Sequence, residues 1–227
     1  MNCNSFIAWA ALSCALPAAA LTTRPDRDDA EYLELASRYP SAIRLAGSAG
    51  EGVLVNPRWV LTAAHRARTL GEARRPEVAA IFIHPEWKGG ADNDVALVLL
   101  KDEVRGVEPT PVYRAGDEAG KTAIVAAHGG GRKRAAINTV DRVTPLALAM
   151  RIKPLDDASD LQGALTPAET GAPLFFEIDG RILVGGIAHG TAEGWETYAR
   201  ASAYVAWIET TMLDVARREA EELLGSK

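Results

Sequence analysis

An all-β fold closed by one C-terminal helix is what this sequence predicts, and three observations carry it. Between residues 32 and 202 the apolar residues come in short runs broken by turn residues, the pattern of antiparallel strands. Two of the breaks carry hairpin chemistry: Asn56-Pro57-Arg58 and, most strongly, Asp179-Gly180. After Ser202 the period changes, and Tyr204, Trp207, Ile208, Met212, Val215, Ala216, Ala220, Leu223 and Leu224 recur at helical spacing. Many short strands of this kind build barrels or a sandwich.

The elements follow in order. Residues 1–20 contain no charged residue, hold an apolar stretch too short to span a bilayer, and end in Ala18-Ala19-Ala20. They are expected to be a signal peptide, although residues 1–5 lack the usual Lys or Arg. Both cysteines of the 227-residue chain, Cys3 and Cys14, lie there, so removal of the segment leaves a chain without disulfides. Residues 21–31 are polar, without apolar period, and read as a linker. Apolar runs follow at 52–55, 59–62, 78–83, 95–100, 122–127, 146–152, 174–178 and 181–187. The stretch Gly129-Gly130-Gly131-Arg132-Lys133-Arg134 lacks the Gly-Lys-Ser/Thr ending of a phosphate-binding loop and reads as a flexible basic loop. His84 and His128 have no partner at metal-ligand spacing and read as turn and loop residues.

Composition narrows the function. With 24% charged residues, a net charge of −5 and no Lys/Arg block, the chain lacks the footprint of a nucleic-acid binder. No membrane span, metal or cofactor is expected.

Three segments carry residues suited to acyl-transfer chemistry. Trp59-Val60-Leu61-Thr62-Ala63-Ala64-His65 runs a strand into a turn presenting one histidine, a candidate general base. Asn93-Asp94-Val95-Ala96-Leu97 puts a carboxylate at the start of a buried strand, where it can orient an imidazole. Ala168-Glu169-Thr170-Gly171-Ala172-Pro173 is a small-residue loop that presents a hydroxyl beside backbone N–H groups.

In these segments the chain resembles the chymotrypsin/trypsin-like serine peptidases, over residues 32 to 210. The resemblance extends to Tyr198-Ala199-Arg200-Ala201-Ser202 and to Trp207-Ile208. It implies two packed six-stranded antiparallel β-barrels, at 32–112 and 113–203, followed by a helix at 204–227. It implies a peptidase with His65 as general base, Asp94 as its orienting carboxylate and the backbone N–H groups of Ala168 and Thr170 as oxyanion donors. Ala164, Ala188, His189, Gly190 and Glu196 fall at the specificity pocket. The chain departs from the family where Thr170 stands in place of the nucleophilic serine and Ala168 in place of a glycine. Threonine's β-methyl stiffens χ1 and crowds an incoming carbonyl, so hydrolysis is expected to be weakened or lost. The alternative is an inactive homologue that binds peptide or protein without cutting it. Glu169 takes the place of an aspartate that pairs with a new N-terminus in zymogen-activated members; without an activation sequence at 21–45, it is expected to be solvated or paired locally. Glu196 likewise reads as solvent-facing. A monomer, secreted or periplasmic, with a peptide or protein substrate or ligand completes the expectation.

Overall fold

A strand buried on one face alternates apolar and polar residues, whereas a strand buried on both reads as an unbroken apolar run. Most of the runs here are of the second kind, the half-exposed run at 78–83 excepted. The computed structural model describes residues 21–45, 50–72, 77–129 and 131–225; the expected signal segment 1–20 lies outside them. In chain order the elements are β1 (Thr22–Thr23), α1 (Asp29–Ser37), β2 (Ala42–Arg44), β3 (Glu51–Asn56), β4 (Trp59–Thr62), α2 (Ala64–Glu72), β5 (Val78–Ile83) and β6 (Ala96–Leu100). There follow β7 (Thr122–Gly129), β8 (Arg132–Thr139), β9 (Arg142–Val143), β10 (Ala147–Arg151), β11 (Gly163–Ala164), β12 (Pro173–Ile178), β13 (Arg181–Ala192), β14 (Trp195–Arg200) and α3 (Val205–Gly225).

The strands form a five-stranded sheet, β2-β3-β4-β6-β5, a seven-stranded sheet, β8-β7-β12-β13-β14-β10-β9, and the small pair β1-β11. Val53, Leu61 and Leu97 of the first sheet meet Phe175, Val184 and Ala199 of the second in one central core. Their neighbours one residue along, Leu54, Val60 and Val98, point the other way and pack with Ala64, Ala67 and Leu70 of α2. On the second sheet Leu174 and Phe176 point away from Phe175, into a core with Leu148, Met150 and Tyr198. Both hairpins form as read: Asn56 pairs with Trp59, and Ile178 with Arg181 across Asp179-Gly180. Both residues of the second turn have positive φ, 49° and 74°, the requirement of the tight turn that Asp-Gly favours.

Two closed six-stranded barrels do not form. Among the described residues the sheets hold five and seven strands, and their edge strands are not joined. At the β8 edge the place of a closing strand is taken by residues 161–163: Leu161 O accepts the N–H of Ile137 (2.8 Å), and Asn138 Nδ2 donates to Gly163 O (3.0 Å). Gly163 and Ala164 pair with β1 in a separate two-stranded sheet.

Residues 21–31 are docked rather than a free linker. Beyond β1, Arg24 Nη1 donates to the carbonyls of Ala158 and Ser159 (3.4 and 3.0 Å). Asp28 caps α1, accepting the Ala30 N–H (3.0 Å) while Glu31 accepts the Asp28 N–H (3.2 Å). Tyr32 is fully buried in the core of the seven-stranded sheet, so the chain ahead of β2 packs on the second half of the molecule. The basic stretch is also not a loop from Arg132 onward. It forms β8, with Arg132 and Arg134 paired to Asp29 and Lys133 donating to Tyr39 O (2.8 Å). α3 anchors through Ile208 and Val215, and its last turns carry exposed Leu223 and Leu224. His84 packs its ring against Tyr204 and Trp207, with centroids 5.3 and 5.0 Å away.

Candidate active site

β4 ends at Thr62 and α2 begins at Ala64, so His65 sits in the first turn of a helix. Asp94 holds it twice: Oδ1 accepts the His65 backbone N–H (2.9 Å), and Oδ2 faces Nδ1 (2.7 Å). The carboxylate is fully buried. A tight bend aims it, with Asn93 in the left-handed region (φ 58°) and the Val95 N–H bonded back to Asn93 O (2.7 Å). Burial pushes the Asp94 carboxyl up, but donors from His189 and His65 outweigh burial and bring it to about 2.

The nucleophile arm is built differently. Pro167–Glu169 form a 3-10 turn behind the capping residue Thr166, and Thr170 follows in extended conformation. Gly171 has φ 90°, and a Cβ there would lie 2.4 Å from Glu51 O and 2.8 Å from Thr62 Oγ1. Only glycine fits both demands. Its N–H donates to Ala188 O (2.8 Å), and Glu51 N–H donates to Thr170 O (3.3 Å), which fixes the loop against both sheets. Ala168 is not among the residues with positive φ, so its methyl is carried in the turn without backbone strain. Thr170 Oγ1 lies 2.9 Å from His65 Nε2. His65, Asp94 and Thr170, read from three separate segments, thus meet in one hydrogen-bonded row.

Glu169 is neither solvated nor paired with neighbours alone. It is 1% exposed, and its carboxylate accepts the Leu21 N–H (2.7 Å) as well as that of Thr166 (2.7 Å). Burial pushes its carboxyl up, and the two N–H groups oppose that only in part.

The five residues expected at a specificity pocket separate. Ala188 is buried and holds the loop through its backbone, its N–H donating to Ala172 O (2.9 Å). Gly190 has open space where a side chain would stand. Ala164 pairs with Thr22. Glu196 is 1% exposed rather than solvent-facing; it accepts the Leu165 N–H and the Tyr198 hydroxyl (2.8 Å), and burial pushes its carboxyl up to about 7. His189 turns inward, with Nδ1 2.6 Å from Asp94 Oδ2 and its ring perpendicular to that of His65. The three ligand-type atoms of His65, Asp94 and His189 lie within 4.8 Å of one another. Both imidazoles aim at one carboxylate oxygen, the arrangement of two N–H donors on an acceptor.

Three contacts had no reading in the sequence. Arg66 Nε donates to Thr170 Oγ1 (2.5 Å) and its Nη2 to Pro167 O (2.6 Å). His128 lies in β7, not in a loop, with Nδ1 2.8 Å from the buried carboxylate of Glu51. The third is the Asp94–His189 contact. Only Arg66 had a local signal, a cation placed directly after the candidate base.

Comparison with known proteins bears on this arrangement. The family model described as Trypsin matches residues 35–147, a span that includes His65 and Asp94 and ends before Thr170. Complement C1s subcomponent of Sus scrofa is 27% identical over 180 residues, covering 65% of this chain and 25% of that protein. Complement C1s-1 subcomponent of Mus musculus is 37% identical over 87 residues, 27% of this chain and 13% of that protein. The matched stretches are thus a quarter or less of these relatives' length. Among the described residues no helix is long and apolar enough to cross a membrane. The family match, the weak homology to complement C1s and the mostly β fold with its C-terminal helix together support membership of the trypsin-like serine peptidase family.

Proposed function

We propose that the chain hydrolyses peptide bonds slowly, with Thr170 as nucleophile, His65 as general base and Asp94 as the carboxylate that orients it. The observation that carries the reading is the 2.9 Å separation of His65 Nε2 and Thr170 Oγ1, continued by 2.7 Å from Nδ1 to Asp94. In acylation the Oγ1–H proton passes to Nε2, and the oxygen's electron pair forms the bond to the carbonyl carbon. The carbonyl electrons move onto oxygen, which the backbone N–H groups of Ala168 and Thr170 are assigned to receive. The C–N bond then breaks, and the amine leaves with the proton held on His65. Water repeats the sequence on the ester, returning Thr170. The β-methyl of threonine crowds the incoming carbonyl, and this lowers the rate relative to serine. The substrate backbone is assigned to β13 at His189 and Gly190, where Gly190 leaves space, because Ala188 gives both its backbone groups to the loop at Gly171 and Ala172.

The chain is proposed to act outside the cytoplasm, in a periplasm or released, after loss of residues 1–20. Cleavage after Ala20 would turn the Leu21 N–H into an ammonium 2.7 Å from the buried Glu169 carboxylate. One observation favours a second reading, a peptide- or protein-binding homologue: Thr170 is only 5% exposed and lies under Arg66.

Hydrolysis of a mixed fluorogenic peptide library by the processed chain, His65→Ala and Thr170→Ser separates the two. Cleavage by the parent that disappears in His65→Ala is the expected result. Peptide binding without cleavage by either the parent or Thr170→Ser would replace it with the binding reading.

A further inference from the structure

Arg66 follows His65 in α2, and its side chain turns back across Gly50 to reach the loop at Thr170. A Cβ at Gly50 would lie 2.8 Å from Arg66 Cδ and 2.8 Å from Thr170 O, and Gly50 has φ 98°, so the path of the arginine stem depends on that glycine. The guanidinium ends in two contacts, Nε to Thr170 Oγ1 at 2.5 Å and Nη2 to Pro167 O at 2.6 Å. A guanidinium carries donors only. Thr170 Oγ1 must therefore accept from Arg66, which leaves its own proton for its other partner, His65 Nε2 at 2.9 Å. Nε2 is then the acceptor nitrogen, and Nδ1–H donates to Asp94 at 2.7 Å. One direction of donation runs from Arg66 through Thr170 and His65 to Asp94.

We propose that Arg66 is a catalytic residue of this site, its Nε–H orienting the Thr170 hydroxyl and stabilising the negative charge that grows on Oγ1 as the proton passes to His65. The proposal rests on the reading of Thr170 as nucleophile and adds a member to that site. It gives the threonine a physical remedy, since an oxygen held from two sides leaves the β-methyl one position and one rotamer. Half-burial weakens the cation's hydration, while the Asp94 and Glu51 carboxylates favour its charge.

The test is the rate at which a fluorophosphonate modifies Thr170 of the full chain, followed by intact mass and peptide mapping. In that reaction the Oγ1–P bond forms, the P–F bond breaks, fluoride leaves and His65 takes the proton. Arg66→Met is expected to slow modification about 10- to 100-fold, as loss of a charge-assisted donor to a reacting oxygen predicts. Its rate should also need a higher pH to reach half its maximum. Arg66→Lys, which keeps the charge but not the planar fork, is expected to fall between the two. Modification of Arg66→Met as fast as the parent or faster would overturn the proposal, making Arg66 a cover over the hydroxyl. Should Arg66→Met fail to show a cooperative melt, Arg66→Lys decides: a rate equal to the parent's overturns the role. Absence of any Thr170 adduct in the parent and in Thr170→Ser would remove the nucleophile reading and Arg66's role with it. Equal rates with an adduct present would remove Arg66 alone.

Discussion

Asp94, which bonds His65 directly, and Glu169, which precedes Thr170, are both buried carboxylates, yet they are pushed in opposite directions. Asp94 receives two imidazole N–H groups and a backbone N–H, and its carboxyl ends at about 2. Glu169 receives backbone N–H groups from Leu21 and Thr166, lies near the Glu51 carboxylate, and is raised. The arm that carries the base is thus held by side-chain donors on a committed anion, on strand ends packed in apolar cores. The nucleophile arm is held by backbone contacts around a glycine that admits no side chain. The difference teaches that the base arm tolerates acid while the nucleophile arm depends on the chain around it, reaching as far as Leu21.

The largest effect should come from breaking the base arm chemically. Asp94→Asn keeps the shape but removes the anion that fixes the His65 tautomer, and hydrolysis should fall about 10⁴-fold in steady-state assays. Breaking the nucleophile arm sterically comes next. Gly171→Ala sets a methyl 2.4 Å from Glu51 O at φ 90°, and should lower unfolding free energy by about 3 kcal/mol or more in denaturant titrations.

Glu196 sharpens the comparison through pH. Its carboxyl is raised from 4.5 to about 7 in the fold, so the folded state holds the extra proton. That stabilisation is complete below pH 4.5 and fades as pH rises through 7, a difference on the order of 3 kcal/mol. Glu196→Gln should flatten the decline in melting temperature over this window. Asp94 has the opposite sign: its contribution is present above 3.8 and is lost as pH falls through about 2. The smallest effect is Thr170→Ser, expected to raise the acylation rate about tenfold, ~1.4 kcal/mol of barrier.

How much of this was legible in the sequence follows the same division. His65 follows the end of one apolar strand and Asp94 precedes the start of another, so the neighbouring runs announce them, and Thr170 sits in a recognisable loop. Eight of the strands and both hairpins were readable because period and turn chemistry are local, whereas β8, which opens on Arg132, Lys133 and Arg134, read as a loop. Contacts spanning long stretches of chain were not. Glu169 with Leu21, Glu51 with His128 and His189 with Asp94 each join residues 77 to 148 positions apart, and no local pattern encodes them. α1 was hidden because its apolar face is small and its cap is acidic, so residues 21–31 looked like a linker. Closure of the sheets failed as an expectation because run counts do not reveal which edge a loop will occupy.

Trapping the acyl form tests the central claim most directly. The full chain mixed with an activated ester and quenched in acid should carry the acyl group on Thr170, and His65→Ala should carry none. An acyl group on another residue, or none in the parent under conditions where Thr170→Ser is acylated, would contradict the account.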